Sequence, residues 1–139
     1  KLLESLSRRI ERQPGQPALL CLRAEFLQST MQQGERAESD YQAALAADPN
    51  YGPAVLAVAQ SEFASGHLHQ ALSLYRHALD GDVYPLEQRD RIFALVAASK
   101  CFQQLSMLDE LQDFALDVAV RYPDHSEIQR FVEEIAGVE

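Results

Sequence analysis

The feature that most constrains this chain is a self-similarity at a fixed spacing. Ala37, Tyr41, Ala44 and Leu45 recur as Ala71, Tyr75, Ala78 and Leu79, each 34 residues on. A constant offset of this size marks a copied supersecondary unit, which cannot bury its apolar face alone and must stack on its neighbours. Spacings of 4, 3 and 1 put the four residues on one face of a helix. The alanines allow a second helix to approach closely, and the Tyr and Leu fill the space beside them. Leu20 and Ala24 precede the first set, and Val55 and Ala59 precede the second. Gly34 and Gly66 stand just ahead of the two helices and suit the left-handed residue that ends a preceding helix. Asp48-Pro49-Asn50 stops the helix and turns the chain. The unit is expected to be a pair of antiparallel helices.

These residues resemble the tetratricopeptide repeat family, whose unit is a 34-residue helix–turn–helix with small, aromatic, small and proline signatures. Gly34, Ala37, Tyr41, Ala44, Leu45 and Pro49 match its second half, and Leu20, Ala24 and Leu27 its first half if one extra residue is allowed before Gly34. The second copy matches without insertion, except that Val83 stands at the closing proline and Pro85 follows. A degenerate third copy takes Pro123 as its closing proline. It places Leu95, Ala98, Ser99 and Phe102 in a first helix and Leu111, Ala115 and Val118 in a second, 40 residues after Ala71, Tyr75 and Ala78. The six extra residues are expected in the 80–91 connector. Here the aromatic has become Ala115 and the turn glycine Ser106.

The resemblance implies an all-α protein, a right-handed α-solenoid of antiparallel helix pairs. The expected organisation is one domain over 1–139. It comprises the second helix of a truncated repeat at 2–13, repeats at 17–50, 51–84 and 86–123, and a capping helix at 125–137. Ile128, Phe131, Val132 and Ile135 give that last helix its apolar face, and Gln129, Arg130, Glu133 and Glu134 are expected on its outer face. Leu2, Leu3, Leu6 and Ile10 would be left on an uncapped end, inviting weak homodimerisation through the N-terminal helix. Lys1 in first place, with no Met, suggests a fragment of a longer protein.

Charge narrows what such a stack can bind. Twelve Lys plus Arg against 21 Asp plus Glu give a formal net charge of −9. Nucleic acid and anionic membrane surfaces both call for the opposite sign. No apolar run approaches the roughly 20 residues of a membrane span, and no secretory signal opens the chain. The charge is uneven: residues 1–36 carry six basic and four acidic groups, residues 101–139 two and nine. The acidic end is either a solubilising surface or an attraction for a basic partner.

Catalytic and metal chemistry find little support. Cys21 and Cys101 do not make a disulfide framework and read as buried hydrophobes, with a reactive thiol as the alternative. They leave the compartment open. His67, His69 and His77 cluster around one turn and helix, but no Cys or carboxylate at ligand spacing completes a metal site. Asp109, Asp113 and Asp117, with Glu110, form a helical stripe that reads as a solvated face rather than paired acids. No phosphate loop, nucleophile elbow or zinc-protease helix appears. No cofactor is expected.

In the tetratricopeptide repeat family the first helix of each unit lines a concave groove that takes a peptide or partner helix. Carried over residue by residue, this implies Cys21, Glu25 and Gln28 in the first copy, Leu56, Gln60 and Phe63 in the second, and Val96, Lys100 and Gln103 in the third. Pro53 and Phe93 would lie near the starts of their helices. Phe63 is either the wall of an anchor pocket or packing between units. Family members that grip a chaperone's C-terminal carboxylates use a cluster of Lys, Arg and Asn; only Lys100 corresponds here, with Glu25 opposing, so that mode is not expected. The implied function is a non-catalytic module binding a peptide or partner subunit, in a larger scaffold or an assembly or secretion protein. A structural spacer, or a substrate-recruiting segment of a multidomain enzyme, is the alternative.

Overall fold

The computed structural model describes residues 2–29, 32–80 and 85–136. Among these residues there are eight α-helices and no strand: α1 (Leu2–Arg12), α2 (Pro17–Ser29), α3 (Gly34–Ala47), α4 (Gly52–Ala64), α5 (Leu68–Ala78), α6 (Gln88–Gln104), α7 (Leu108–Arg121) and α8 (Ser126–Ala136). The closest packing is between helices consecutive in the chain, above all α2 with α3 and α4 with α5. These are the two helices of the first and of the second expected copy.

The turns between paired helices repeat. Gln33, His67 and Met107 begin α3, α5 and α7 with nearly the same backbone, at φ −100°, −84° and −103° and ψ 73°, 71° and 63°. Each is preceded by a residue in the left-handed region: Gln32 at φ 53°, Gly66 at 82° and Ser106 at 57°. These positions lie 34 and then 40 residues apart, the offsets of the sequence repeat. The left-handed residue of the first turn is thus Gln32, and Gly34, expected in that role, is the first residue of α3. The extra residue in this turn explains the shift. The His67 N–H closes back on the Glu62 carbonyl and Met107 on Phe102, five residues away, whereas Gln33 reaches Leu27, six away, each at 2.9 Å.

The closing turns also correspond. The Asp48 N–H bonds the Ala44 carbonyl, and the Tyr122 N–H that of Val118, both at 3.0 Å and each just before a proline. Val83, the closing position of the second copy, lies outside the described residues, as do Lys1 and Gly137. The insertion in the third copy is partly helical. Forty residues on from Gly52 is Ile92, yet α6 starts at Gln88, so four of the inserted residues add about one turn.

The core follows the repeated positions. One cluster gathers Ile10, Leu20, Ala24, Leu27, Ala37 and Tyr41 from α1 to α3, reaching Val58 of α4. A second joins α4 to α8 around Tyr75, Leu95, Phe102 and Ile128. In the third copy, where Ala115 replaces the aromatic, the same core holds the fully buried Phe102 and the partly buried Phe114, whose rings lie 5.4 Å apart.

Two expectations about the ends are corrected. Leu6 and Ile10 are buried, because α1 packs on α2; Leu2 is exposed and Leu3 half-buried. Most of the apolar face invoked for homodimerisation is therefore already covered. Gln129 is not on the outer face of α8: its amide donates to the carbonyls of Ala119 (3.1 Å) and Tyr122 (2.9 Å), satisfying the end of α7. Arg130, Glu133 and Glu134 are exposed.

Candidate functional site

The first helices of the three copies are α2, α4 and α6, and two of the open hollows against them hold residues expected in the groove. One, of about 550 Å³, lies among α2, α3 and α4, with Gln28 and Gln60 in its wall beside Glu35, Glu38 and Tyr41. The other, of about 360 Å³, is lined by Val96, Lys100 and Gln103 of α6 and closed by Leu108 of α7 and Phe131 and Ile135 of α8. Five of the nine groove residues expected from the sequence therefore line a hollow. Gln28 meets Gln60 in one, and Val96, Lys100 and Gln103 share the other.

The remaining four line neither. Cys21 is 4% exposed inside the core cluster of α1–α4 and offers no surface to a partner. Leu56 and Phe63 are half-buried and pack against the second cluster. Glu25 is exposed. Pro53 is half-buried in the first turn of α4, and Phe93 is 43% exposed, with its ring edge-on to Tyr75 at 6.3 Å. Residues of the second helices and of α8 also line the hollows. Tyr41 reads as a space-filler and Phe131 and Ile135 as the seat of a cap, and these residues also face open volume.

The site is acidic at its N-terminal end. Burial, then the charges of Glu25 and Asp40, push the Cys21 thiol up to about 12. Burial, then Glu25, Cys21 and Glu38, push the Tyr41 hydroxyl up to about 12. Burial raises Cys101 as well. Thiols held protonated in this way are poor nucleophiles and poor metal ligands at neutral pH. Lys100 lines the smaller hollow, and the lining of the larger one holds two carboxylates and no cation.

Several polar groups outside the hollows form structural contacts. The Arg23 guanidinium grips Asp40 with two hydrogen bonds of 2.6 and 2.7 Å and also reaches Ser7 Oγ at 3.3 Å, tying α1, α2 and α3 together. His67 Nδ1 lies 3.0 Å from Glu62 across the α4–α5 turn. His77 Nε2 donates to the Pro49 carbonyl (3.2 Å) and Asn50 Oδ1 (3.0 Å), bridging α5 to the turn after α3. Among the described residues no three His, Cys, Asp or Glu side chains converge to hold a metal. Asp109, Glu110, Asp113 and Asp117 are all exposed along α7. No described helix is long and apolar enough to cross a membrane.

The chain matches no family model and no curated protein.

Proposed function

We propose that this chain is a non-catalytic protein-interaction module of the tetratricopeptide repeat type: a right-handed superhelix whose concave side binds a peptide segment of a partner, as part of a larger scaffold or assembly protein. The observation that carries this reading is the placement of Gln28, Gln60, Val96, Lys100 and Gln103, from the first helices of three successive copies, in the walls of open hollows. Amide side chains both donate and accept, so Gln28, Gln60 and Gln103 suit the backbone of an extended peptide without requiring a charge. Ser99, the hydroxyl in the smaller hollow, donates to the Leu95 carbonyl of its own helix at 2.8 Å, which favours a structural over a nucleophilic role.

The test is selection from a displayed library of random ten-residue peptides, followed by calorimetry. Binders of about micromolar Kd are expected, and Gln60→Ala/Gln103→Ala, at two exposed positions, should weaken them about tenfold, ~1.4 kcal/mol. No selected peptide, or binders indifferent to the double variant, would overturn the groove and favour a spacer.

A further inference from the structure

We infer that the pocket among α6, α7 and α8 takes one large aliphatic or aromatic side chain of a peptide whose adjoining residues are basic. This rests on the peptide-binding role proposed above and names the chemistry of its ligand. The pocket is walled by Val96, Leu108, Leu111, Phe131 and Ile135, and its volume of about 360 Å³ holds a large side chain with part of its backbone. Its apolar wall is left open: Leu108 is 60% exposed, and Val96, Phe131 and Ile135 are only half-buried. Covering such a surface with a matching side chain is worth about tenfold or more in affinity. The larger hollow has Ala37, Tyr41, Ala57 and Ala64 as its apolar lining, beside Glu35, Glu38 and two glutamines, and lacks the branched aliphatic and phenyl side chains that wall the smaller one.

The surroundings select the flanking charge. Glu134 lines the pocket, and the exposed Asp109 and Glu110 follow Leu108 directly in the first turn of α7. In the lining itself Lys100 and Glu134 offset each other, so the acidic bias comes from the neighbouring exposed Asp109 and Glu110. Over residues 101–139 acidic groups outnumber basic ones nine to two. Lys or Arg beside the anchor is attracted to this rim, and Asp or Glu there is repelled.

The probe is the same library of random ten-residue peptides, read now for composition. Selected peptides should share a Leu, Ile, Met, Phe or Trp next to Lys or Arg, and lose affinity at least tenfold when that residue is replaced by Ala. Leu108→Ser should weaken them about tenfold at unchanged circular dichroism. Lys100→Glu, at an exposed site, should tighten them at least twofold at low salt, with the gain lost as salt rises. Binders that are acidic, that lack an apolar anchor, or that ignore both variants overturn this inference while leaving a peptide-binding groove in place. A library that yields no binder overturns both.

Discussion

The first and second copies hold the same pair of helices together with different chemistry. In the first, Arg23 of α2 and Asp40 of α3 meet in a two-bond ion pair, with the Asp40 side chain only 8% exposed and Arg23 22%. At the corresponding positions of the second copy stand Val58 and Leu74, which pack together in the core. The third copy has Ala98 and Phe114 there. The flanking small and aromatic positions, Ala37 and Tyr41 against Ala71 and Tyr75, are the same in the first two copies. The first two copies thus share the close-approach alanines and the aromatic, and the seam beside them takes either an ion pair or an apolar pair that fills it and satisfies its polar atoms.

The largest expected break in this comparison is in the third copy, where Phe102 is buried in the core of a unit that has Ala115 at the aromatic position. Phe102→Ala should cost about 3–5 kcal/mol in urea unfolding, since the ring is fully buried and its neighbours cannot collapse onto the cavity. In the first copy, Asp40→Ala leaves the Arg23 guanidinium half-desolvated without its partner and should cost about 3 kcal/mol. In the parent the hydrogen bond to Asp40, and then its charge, raise the Arg23 pKa. Without them the guanidinium still keeps its proton, because arginine is not deprotonated in a protein at neutral pH, and so it stays a partly buried charge.

Alkali separates the copies less sharply. The Cys21 and Tyr41 groups, ordinarily near 9.0 and 10.0, are both raised to about 12, and Tyr75 in the second copy is raised to about 12 by burial. Groups held protonated by the fold contribute stability that is fully present below their unfolded pKa and is lost as pH rises through the folded one. Stability should therefore be flat to about pH 9 and fall between there and pH 12. Cys21→Ser and Tyr41→Phe should shallow the fall. A pH-independent melting temperature across that window would contradict the burial.

A smaller effect sharpens the turn comparison. Ser106 takes the left-handed conformation that Gly66 occupies in the second copy. Ser106→Gly should add about 1 kcal/mol, because a side chain in that region is strained. The smallest expected change is the transplant itself. Arg23→Val/Asp40→Leu gives the first copy the seam of the second and should leave stability within about 1 kcal/mol of the parent, or raise it. A loss as large as that of Asp40→Ala would mean that the ion pair is required.

The repeat made most of the helices legible. Residue pairs such as Tyr41 and Tyr75 recur because the first two copies solve the same packing problem, and the spacing places the helices, although α6 begins about one turn ahead of it. The left-handed turn residue is not legible in the sequence, because Gly34 near the turn is conspicuous and Gln32 is not; the extra residue shifts the requirement, and backbone geometry alone reveals it. The Arg23–Asp40 pair was hidden for a different reason. It interrupts the apolar pattern at a position where the other copies are apolar, and nothing local marks two charges 17 residues apart as partners. For the hollows, the first-helix face supplied Gln28, Gln60, Val96, Lys100 and Gln103. The walls built by α3, α7 and α8 depend on how far neighbouring helices stand apart, a distance that spacing along one helix does not encode.

The measurement that bears most directly on the proposed role is a backbone-amide NMR titration of the chain with a selected ten-residue peptide. Saturable shifts concentrated at Gln28, Gln60, Lys100, Gln103 and the start of α7 are expected. Shifts confined to the exposed outer residues of α7, Leu116 and Val120, or to α1, with the first-helix face silent, would contradict a peptide-binding groove.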